Sequence, residues 1–107
     1  MEKIILSAIA DRKLEKLLFK LHDIKYFGDE TLASKYVKLI YKFIYSIPNQ
    51  TYRLTRNPKY GHFYCTYKPN TRTSYFITFD RQGDLYLIKN IFNNHTAEYP
   101  KYIRGVK

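Results

Sequence analysis

The side chains that can carry chemistry in this chain are basic and polar, and most lie in its second half. They are Arg53, Arg56, Lys59, His62, Lys68, Arg72, Lys89, His95, Glu98 and Tyr99. Such groups can cleave RNA without a cofactor, because the ribose 2′-hydroxyl can attack the adjacent phosphorus when protein groups move the protons and cations bind the phosphate. Arginine suits the phosphate, histidine suits proton transfer near neutral pH, and tyrosine can supply a proton or stack on a base.

Other common sites are poorly supported. The three histidines are far apart in sequence, and the single cysteine, Cys65, cannot complete a structural zinc set. Cys65 alternates with Phe63 and Tyr67, which predicts a buried structural thiol rather than a nucleophile. The four glycines are spread singly, so there is no glycine-rich phosphate loop. We therefore predict no metal and no cofactor.

Length and charge narrow the class of protein further. The chain has 107 residues, which predicts one domain spanning 1–107, and its 45% apolar content excludes a disordered chain. Nineteen Lys and Arg against nine Asp and Glu give a net charge of +10, so the natural partner is a polyanion: nucleic acid, an anionic membrane face or an acidic protein. No apolar run approaches the roughly 18 residues of a spanning helix, and the N-terminus does not resemble a signal peptide. We expect a cytoplasmic protein that does not insert into a membrane.

The first half of the chain carries the pattern of a short strand and two helices. Three consecutive apolar residues in Lys3–Ser7 predict a short buried strand, and Asp11 is a plausible helix cap. Apolar residues recur at helical spacing at Leu14, Leu17, Leu18, Leu21 and Ile24, and again at Ala33, Tyr36, Val37, Ile40, Ile44 and Ile47. The segment Phe27–Glu30 separates the two stripes and Pro48 ends the second, so the sequence predicts a helical hairpin.

After Pro48 the apolar residues alternate with a period of two. Strands are predicted at His62–Tyr67, Thr73–Phe79 and Leu85–Phe92. The turns between them are Lys68–Thr71 and Asp80–Asp84, and because both are short the three strands should be antiparallel neighbours. The segment Thr51–Tyr60 is ambiguous between strand and loop, and Glu98–Ile103 is predicted as a turn or short helix.

The whole order is β-α-α-β-β-β, which predicts an α+β fold. The two-helix hairpin should pack on one face of a small twisted antiparallel sheet. The other face must then hold polar and basic groups, or an exposed aromatic patch.

The last two predicted strands carry a resemblance to a known family. Arg72 stands three residues before Tyr75 and opens a strand that leads to the acidic turn Asp80–Asp84. The next strand is closed by Asn93–Tyr99, which ends in the pattern His-x-x-x-Tyr. Together with length, basicity and element order, these features resemble the RelE/ParE superfamily of toxins from bacterial type II toxin–antitoxin systems, whose fold is microbial RNase-like. The ending most resembles its RelE, HigB and YoeB-like members.

The resemblance implies a metal-independent endoribonuclease, an mRNA interferase that cuts messenger RNA in the ribosomal A site. Arg72 matches the arginine that stabilises the phosphate, and His95 and Tyr99 match the groups that handle protons. The remaining cations are expected to contact RNA: Arg53, Arg56, Lys59, His62, Lys68 and Lys89. The resemblance also implies an acidic cognate antitoxin and a toxin–antitoxin hetero-oligomer, with the ribosome and mRNA as further partners. No carboxylate is clearly placed as the general base.

Alternative interpretations remain open at this point. A ParE-like member of the same family would inhibit DNA gyrase by protein contact, and a non-catalytic binding module would need only basic and aromatic groups. Arg72 would then pair with Asp80 or Asp84, His95 would be a turn residue, and Tyr99 would pack the tail. The helix lysines are predicted to form mostly solvated faces that attract ribosomal RNA at long range: Lys13, Lys16, Lys20, Lys35, Lys38 and Lys42.

Overall fold

The computed structural model describes residues 2–23 and 30–104, with side chains described for 2–18 and 35–103. The strands are β1 (Lys3–Leu6), β2 (Arg53–Leu54), β3 (Phe63–Tyr67), β4 (Tyr75–Gln82) and β5 (Leu85–Asn93). The helices are α1 (Ala8–Asp23) and α2 (Glu30–Tyr45), and short helical turns lie at Ile47–Asn49, Pro58–Tyr60 and Pro100–Arg104. The predicted break between the helices falls on residues outside this description, except for Glu30 where α2 begins. No helix within the described ranges is long and apolar enough to cross a membrane.

The five strands form one sheet in the order β1-β5-β4-β3-β2, which confirms an α+β fold. The prediction of a purely antiparallel sheet is wrong, because β1 pairs with β5 in parallel while the other neighbours are antiparallel. Short turns dictate antiparallel pairing only for strands that they join directly. β1 is connected to the rest of the sheet through both helices, and a crossover of that length permits a parallel partner.

Several boundaries differ from the sequence prediction at the N-terminal end. β1 is a half-exposed edge strand rather than a buried one, since only one neighbour covers it. Helix α1 begins at Ala8 and not after Asp11. The hydroxyl of Ser7 accepts the N–H of Ala10 at 3.2 Å, so Ser7 satisfies a helix-end donor in the place predicted for Asp11. Asp11 lies in the first turn of α1, where a carboxylate complements the helix dipole.

The β4–β5 hairpin is longer and tighter than predicted. β4 continues through Asp80 to Gln82, which leaves a two-residue turn at 83–84 in place of the predicted turn Asp80–Asp84. Gly83 has a φ of +60°, the left-handed conformation that such tight turns require. At the other end β4 starts at Tyr75 and not at Thr73, because Asn70 holds the backbone N–H groups of Arg72 and Thr73 in a turn.

The main core lies between the helices and one face of the sheet. Its fully buried side chains include Leu14, Ile40, Ile44, Ile47, Ile77, Phe79 and Ile88. Burying an aliphatic side chain of this size contributes about 1.5–3 kcal/mol. Cys65 lies in the same core, which confirms the predicted buried thiol, and burial raises the pKa of its thiol to about 11.

A β-bulge in β5 decides what reaches the opposite face of the sheet, which we call the open face. Thr78 pairs with Asn90 while the next residue of β4, Phe79, pairs with Ile88, so Lys89 is the additional residue. Ile88 and Ile91 therefore both join the core between helices and sheet. On the open face Phe76, Phe92 and Tyr102 form a second apolar cluster, because the C-terminal segment folds back over this part of the sheet.

Candidate functional site

Arg72 and His95 meet at one end of the sheet, where the loop before β4 lies against the turn after β5. Asn94 connects them: its side-chain N–H donates to the Arg72 carbonyl at 3.2 Å, and its side-chain oxygen accepts the Ser74 N–H at 2.9 Å. The Asn94 backbone N–H also donates to the Ser74 carbonyl at 3.0 Å. The loop of Arg72 and the turn of His95 are thus held together by three hydrogen bonds.

The side chains of Arg72 and His95 are both exposed at this end. The His95 ring Nε2 lies 3.4 Å from the hydroxyl of Thr73, and the His95 backbone N–H donates to Asn93 at 2.8 Å. The backbone of the turn is therefore fixed while the imidazole stays accessible. An exposed arginine and an exposed histidine on adjoining loops can bind an anion and exchange a proton with it.

Tyr99 lies on the open face next to this end. Its ring stacks on Phe76 with centroids 4.9 Å apart, and Phe76 stacks in turn on Phe92 at 5.8 Å. Tyr99 therefore packs in the aromatic cluster, as the alternative interpretation of this residue predicted. The ring is nevertheless half-exposed, so the same residue also presents part of its surface beside the residues of the β4 end.

The turn that carries Tyr99 is tied to helix α1 by a small polar network. Lys13 Nζ donates to both carboxylate oxygens of Glu98, at 2.7 and 2.8 Å, and to the side-chain oxygen of Asn90 at 2.6 Å. The Asn90 amide completes the network by donating to Glu98 at 2.9 Å. Lys13 is therefore not one of the solvated helix lysines, which corrects the prediction for this residue. Glu98 is occupied as an acceptor, so the network does not present it as a free base.

Two further predicted cations flank the same part of the open face. Arg53 on β2 lies opposite Tyr64 on β3. Lys68 directly follows β3, whose last residue pairs with the first residue of β4, so it stands at the Arg72 end of the sheet. Both side chains are exposed. An open polar pocket of about 460 Å³ surrounds Arg53 and is lined by Gln50, Thr51, Arg53, Tyr64 and Thr66.

Arg56 and Lys59 are placed beside the C-terminal segment. The Arg56 backbone N–H donates to the Tyr102 carbonyl at 2.9 Å. Lys59 Nζ lies 5.5 Å from the centre of the Tyr60 ring, and Tyr60 packs edge-on against Tyr102 at 5.6 Å. Both cationic side chains are exposed, at the border of the aromatic cluster.

His62 and Lys89 lie at the far end of β4, bound to Asp80. The His62 ring Nδ1 and backbone N–H lie 2.7 and 2.8 Å from one Asp80 oxygen, and Lys89 Nζ lies 3.3 Å from the other. Burial acts to raise the Asp80 pKa, but the hydrogen bonds from His62 and Lys89 outweigh it, and the pKa lies below its ordinary value. Five residue steps of β4 separate Asp80 from Tyr75, which is about 17 Å. The structure therefore divides the predicted residues between two ends of one face.

The charge distribution favours an anionic ligand on this face. Residues 31–79 contain eight Lys and Arg and no Asp or Glu, and the five cations that follow α2 are Arg53, Arg56, Lys59, Lys68 and Arg72. Two nearby carboxylates are bonded to cations, Asp80 to Lys89 and Glu98 to Lys13. The cationic groups on β2 and on the loop before β4 therefore have no acidic residue in their own segment, and we expect a positive potential above them.

The sequence analysis did not identify two asparagines that shape the site or the bond that ties the site to α1. Asn70 and Asn94 shape the two loops, and asparagine in a loop next to a strand is the signal that would have pointed to them. For the bond between Lys13 and Glu98 there was no local signal, because 85 residues separate the partners.

No group of three or more potential metal ligands occurs among the described residues. Comparisons with protein-family models, with curated proteins and with solved structures found no match to this chain.

Proposed function

We propose that this protein is the toxin of a type II toxin–antitoxin pair and acts as a metal-independent endoribonuclease on ribosome-bound mRNA. One observation carries the proposal. Arg72 and His95, twenty-three residues apart in the chain, are brought to one end of the sheet by the hydrogen bonds of Asn94. Tyr99 stacks on Phe76, the second residue of β4, on the open face near this end, and the flanking cations are exposed.

The chemistry requires only groups that this end of the sheet offers. The 2′-hydroxyl oxygen of the substrate attacks the adjacent phosphorus and loses its proton to one protein group, while the bond from phosphorus to the 5′-oxygen breaks and that oxygen gains a proton. The products are a 2′,3′-cyclic phosphate and a 5′-hydroxyl. His95 and Tyr99 are the proton-transfer pair, and the guanidinium of Arg72 stabilises the negative charge that gathers on the phosphate oxygens.

The openness of the site supports a requirement for the ribosome. The side chains of Arg72 and His95 are both exposed. A site of this kind gains rate when another surface orders the RNA before the reaction, because correct orientation removes much of the entropic barrier. The positive open face would favour docking on ribosomal RNA, and an acidic antitoxin segment would compete for the same charge.

The test compares three variants in cleavage of mRNA on programmed ribosomes. Arg72→Ala and His95→Gln should each lower the cleavage rate about a hundredfold, the usual contribution of one electrostatic donor or one acid–base group. Arg12→Ala is the matched control, because Arg12 is an exposed cation on α1, which carries none of the three proposed catalytic residues, and it should cleave at the wild-type rate. Circular dichroism should be unchanged in all three.

Wild-type cleavage rates in both folded site variants would refute the assignment of the site. Growth arrest that survives both substitutions and is relieved by a resistant gyrase would instead favour the ParE-like alternative. Cleavage should also be much faster on ribosomes than on the same RNA free in solution.

A further inference from the structure

A second pocket lies at the far end of β4, away from Arg72 and His95. Its volume is about 500 Å³, and it is lined by apolar side chains including Leu54, Leu85 and Leu87, with His62 and Asp80 among the polar residues. Leu54 is 69% exposed and Leu85 is 37% exposed. A pocket with an apolar lining and a polar margin on a basic face is not explained by the proposed cleavage chemistry.

The hydrogen bonds of Asp80 determine which nitrogen of His62 points outward as an acceptor. An ionised carboxylate can only accept, so the His62 Nδ1 that lies 2.7 Å from Asp80 carries the proton. When the ring is neutral, Nε2 is therefore the nitrogen with the free lone pair. The ring is 63% exposed, so this acceptor is available to a ligand in the pocket.

We propose that this pocket binds one nucleobase of single-stranded RNA, several nucleotides along the strand from the cleavage site. The inference rests on the proposed function. Leucine side chains offer an apolar surface to the face of a base, His62 Nε2 accepts an N–H from its edge, and the exposed basic face supplies the charge that the RNA backbone requires. Asp80 at the pocket and Tyr75 at the Arg72 end are about 17 Å apart along β4, which is the length of about five stacked nucleotide steps, so one RNA strand can reach both places.

The test measures binding of a non-cleavable 2′-O-methyl RNA oligonucleotide of eight nucleotides by fluorescence anisotropy. The bases are replaced one at a time by an abasic sugar. For the wild-type protein, one position within a few nucleotides of the oligonucleotide centre should lose about tenfold in affinity, the scale of one stacked base. In the Leu54→Asp variant, removing the base at that position should no longer change the affinity, because the substitution has already disrupted the pocket that binds the base.

Leu39→Asp is the matched control. Leu39 is 52% exposed on α2, and its substitution changes the net charge by the same amount as Leu54→Asp. It should keep the wild-type pattern of abasic sensitivity. A pattern that persists in Leu54→Asp, or an equal change in both variants, would overturn the pocket assignment.

The failure of the pocket and the failure of the proposed function give different results. Suppose that no abasic position changes the RNA affinity, while cleavage on ribosomes still depends on Arg72. That result overturns only the pocket assignment. If the wild-type protein neither binds RNA nor cleaves it, the proposed function is overturned, and the pocket assignment is overturned with it.

Discussion

The bond between Lys13 and Glu98 is the clearest place to test how the fold supports the site. Lys13 on α1 donates two hydrogen bonds to Glu98 in the turn before Tyr99 and a third to Asn90 on β5. If this contact anchors the C-terminal segment to the body of the protein, removing it should loosen the ring of Tyr99 on Phe76. The perturbations are Lys13→Met, which keeps the length of the stem, Glu98→Gln, and the double variant.

The magnitude follows from the burial of the pair. The side chains of Lys13 and Glu98 are 32% and 33% exposed. Fully exposed ion pairs contribute about 0.2–1 kcal/mol, whereas hydrogen bonds to charged groups contribute about 1.5–3 kcal/mol. At one-third exposure we expect a coupling free energy of about 1–2 kcal/mol. The double variant should therefore be more stable than the sum of the two single losses predicts.

Urea unfolding followed by far-ultraviolet circular dichroism measures this coupling. Lys16→Met is the control, because Lys16 is exposed on the same helix and should change the free energy of unfolding by less than about 0.5 kcal/mol. Cleavage on ribosomes should fall in Lys13→Met while the fold is kept at low urea. A coupling below about 0.3 kcal/mol, within the error of additivity, would refute the anchoring role.

Two further predictions concern backbone geometry and pH. Gly61 has a φ of +125°, and an added Cβ would lie 2.8 Å from the Phe79 backbone nitrogen, so Gly61→Ala should lower the free energy of unfolding by more than about 2 kcal/mol. At Gly83 the added carbon would meet nothing within 4 Å, so Gly83→Ala should lower the free energy of unfolding only by the cost of a left-handed backbone, about 1–2 kcal/mol. Equal losses of unfolding free energy in the two variants, measured in urea, would contradict the clash at Gly61. Hydrogen bonds from His62 and Lys89 outweigh burial and lower the Asp80 pKa, so its stabilisation is complete above the ordinary value of about 3.9 and is lost as pH falls through the lower folded value. Asp80→Asn should remove this part of the acid dependence in thermal unfolding between pH 2 and 5, and an unchanged profile would show that Asp80 does not contribute.

The local sequence pattern was sufficient to predict the main helices and strands and part of the candidate site. Apolar spacing predicted both helices, and alternation predicted the three long strands, because each pattern needs only neighbours along the chain. The contact between the loops of Arg72 and His95 was also within reach. Each loop adjoins one of two strands joined by a short turn, so hairpin pairing brings their outer ends together.

The tertiary structure decided what lies between distant parts of the chain. The direction of β1 depends on how both helices cross the sheet, and no turn encodes it. The bulge at Lys89 keeps Ile88 and Ile91 in the core, which a strict alternation cannot do. Lys13 has the sequence pattern of a solvated helix lysine until α1 docks beside β5 and Glu98 comes within 2.7 Å. His62 was grouped with Arg72 by charge alone, whereas strand length places them at opposite ends of β4. Composition determined that the protein is basic, and packing determined which charges are paired and which remain free to bind.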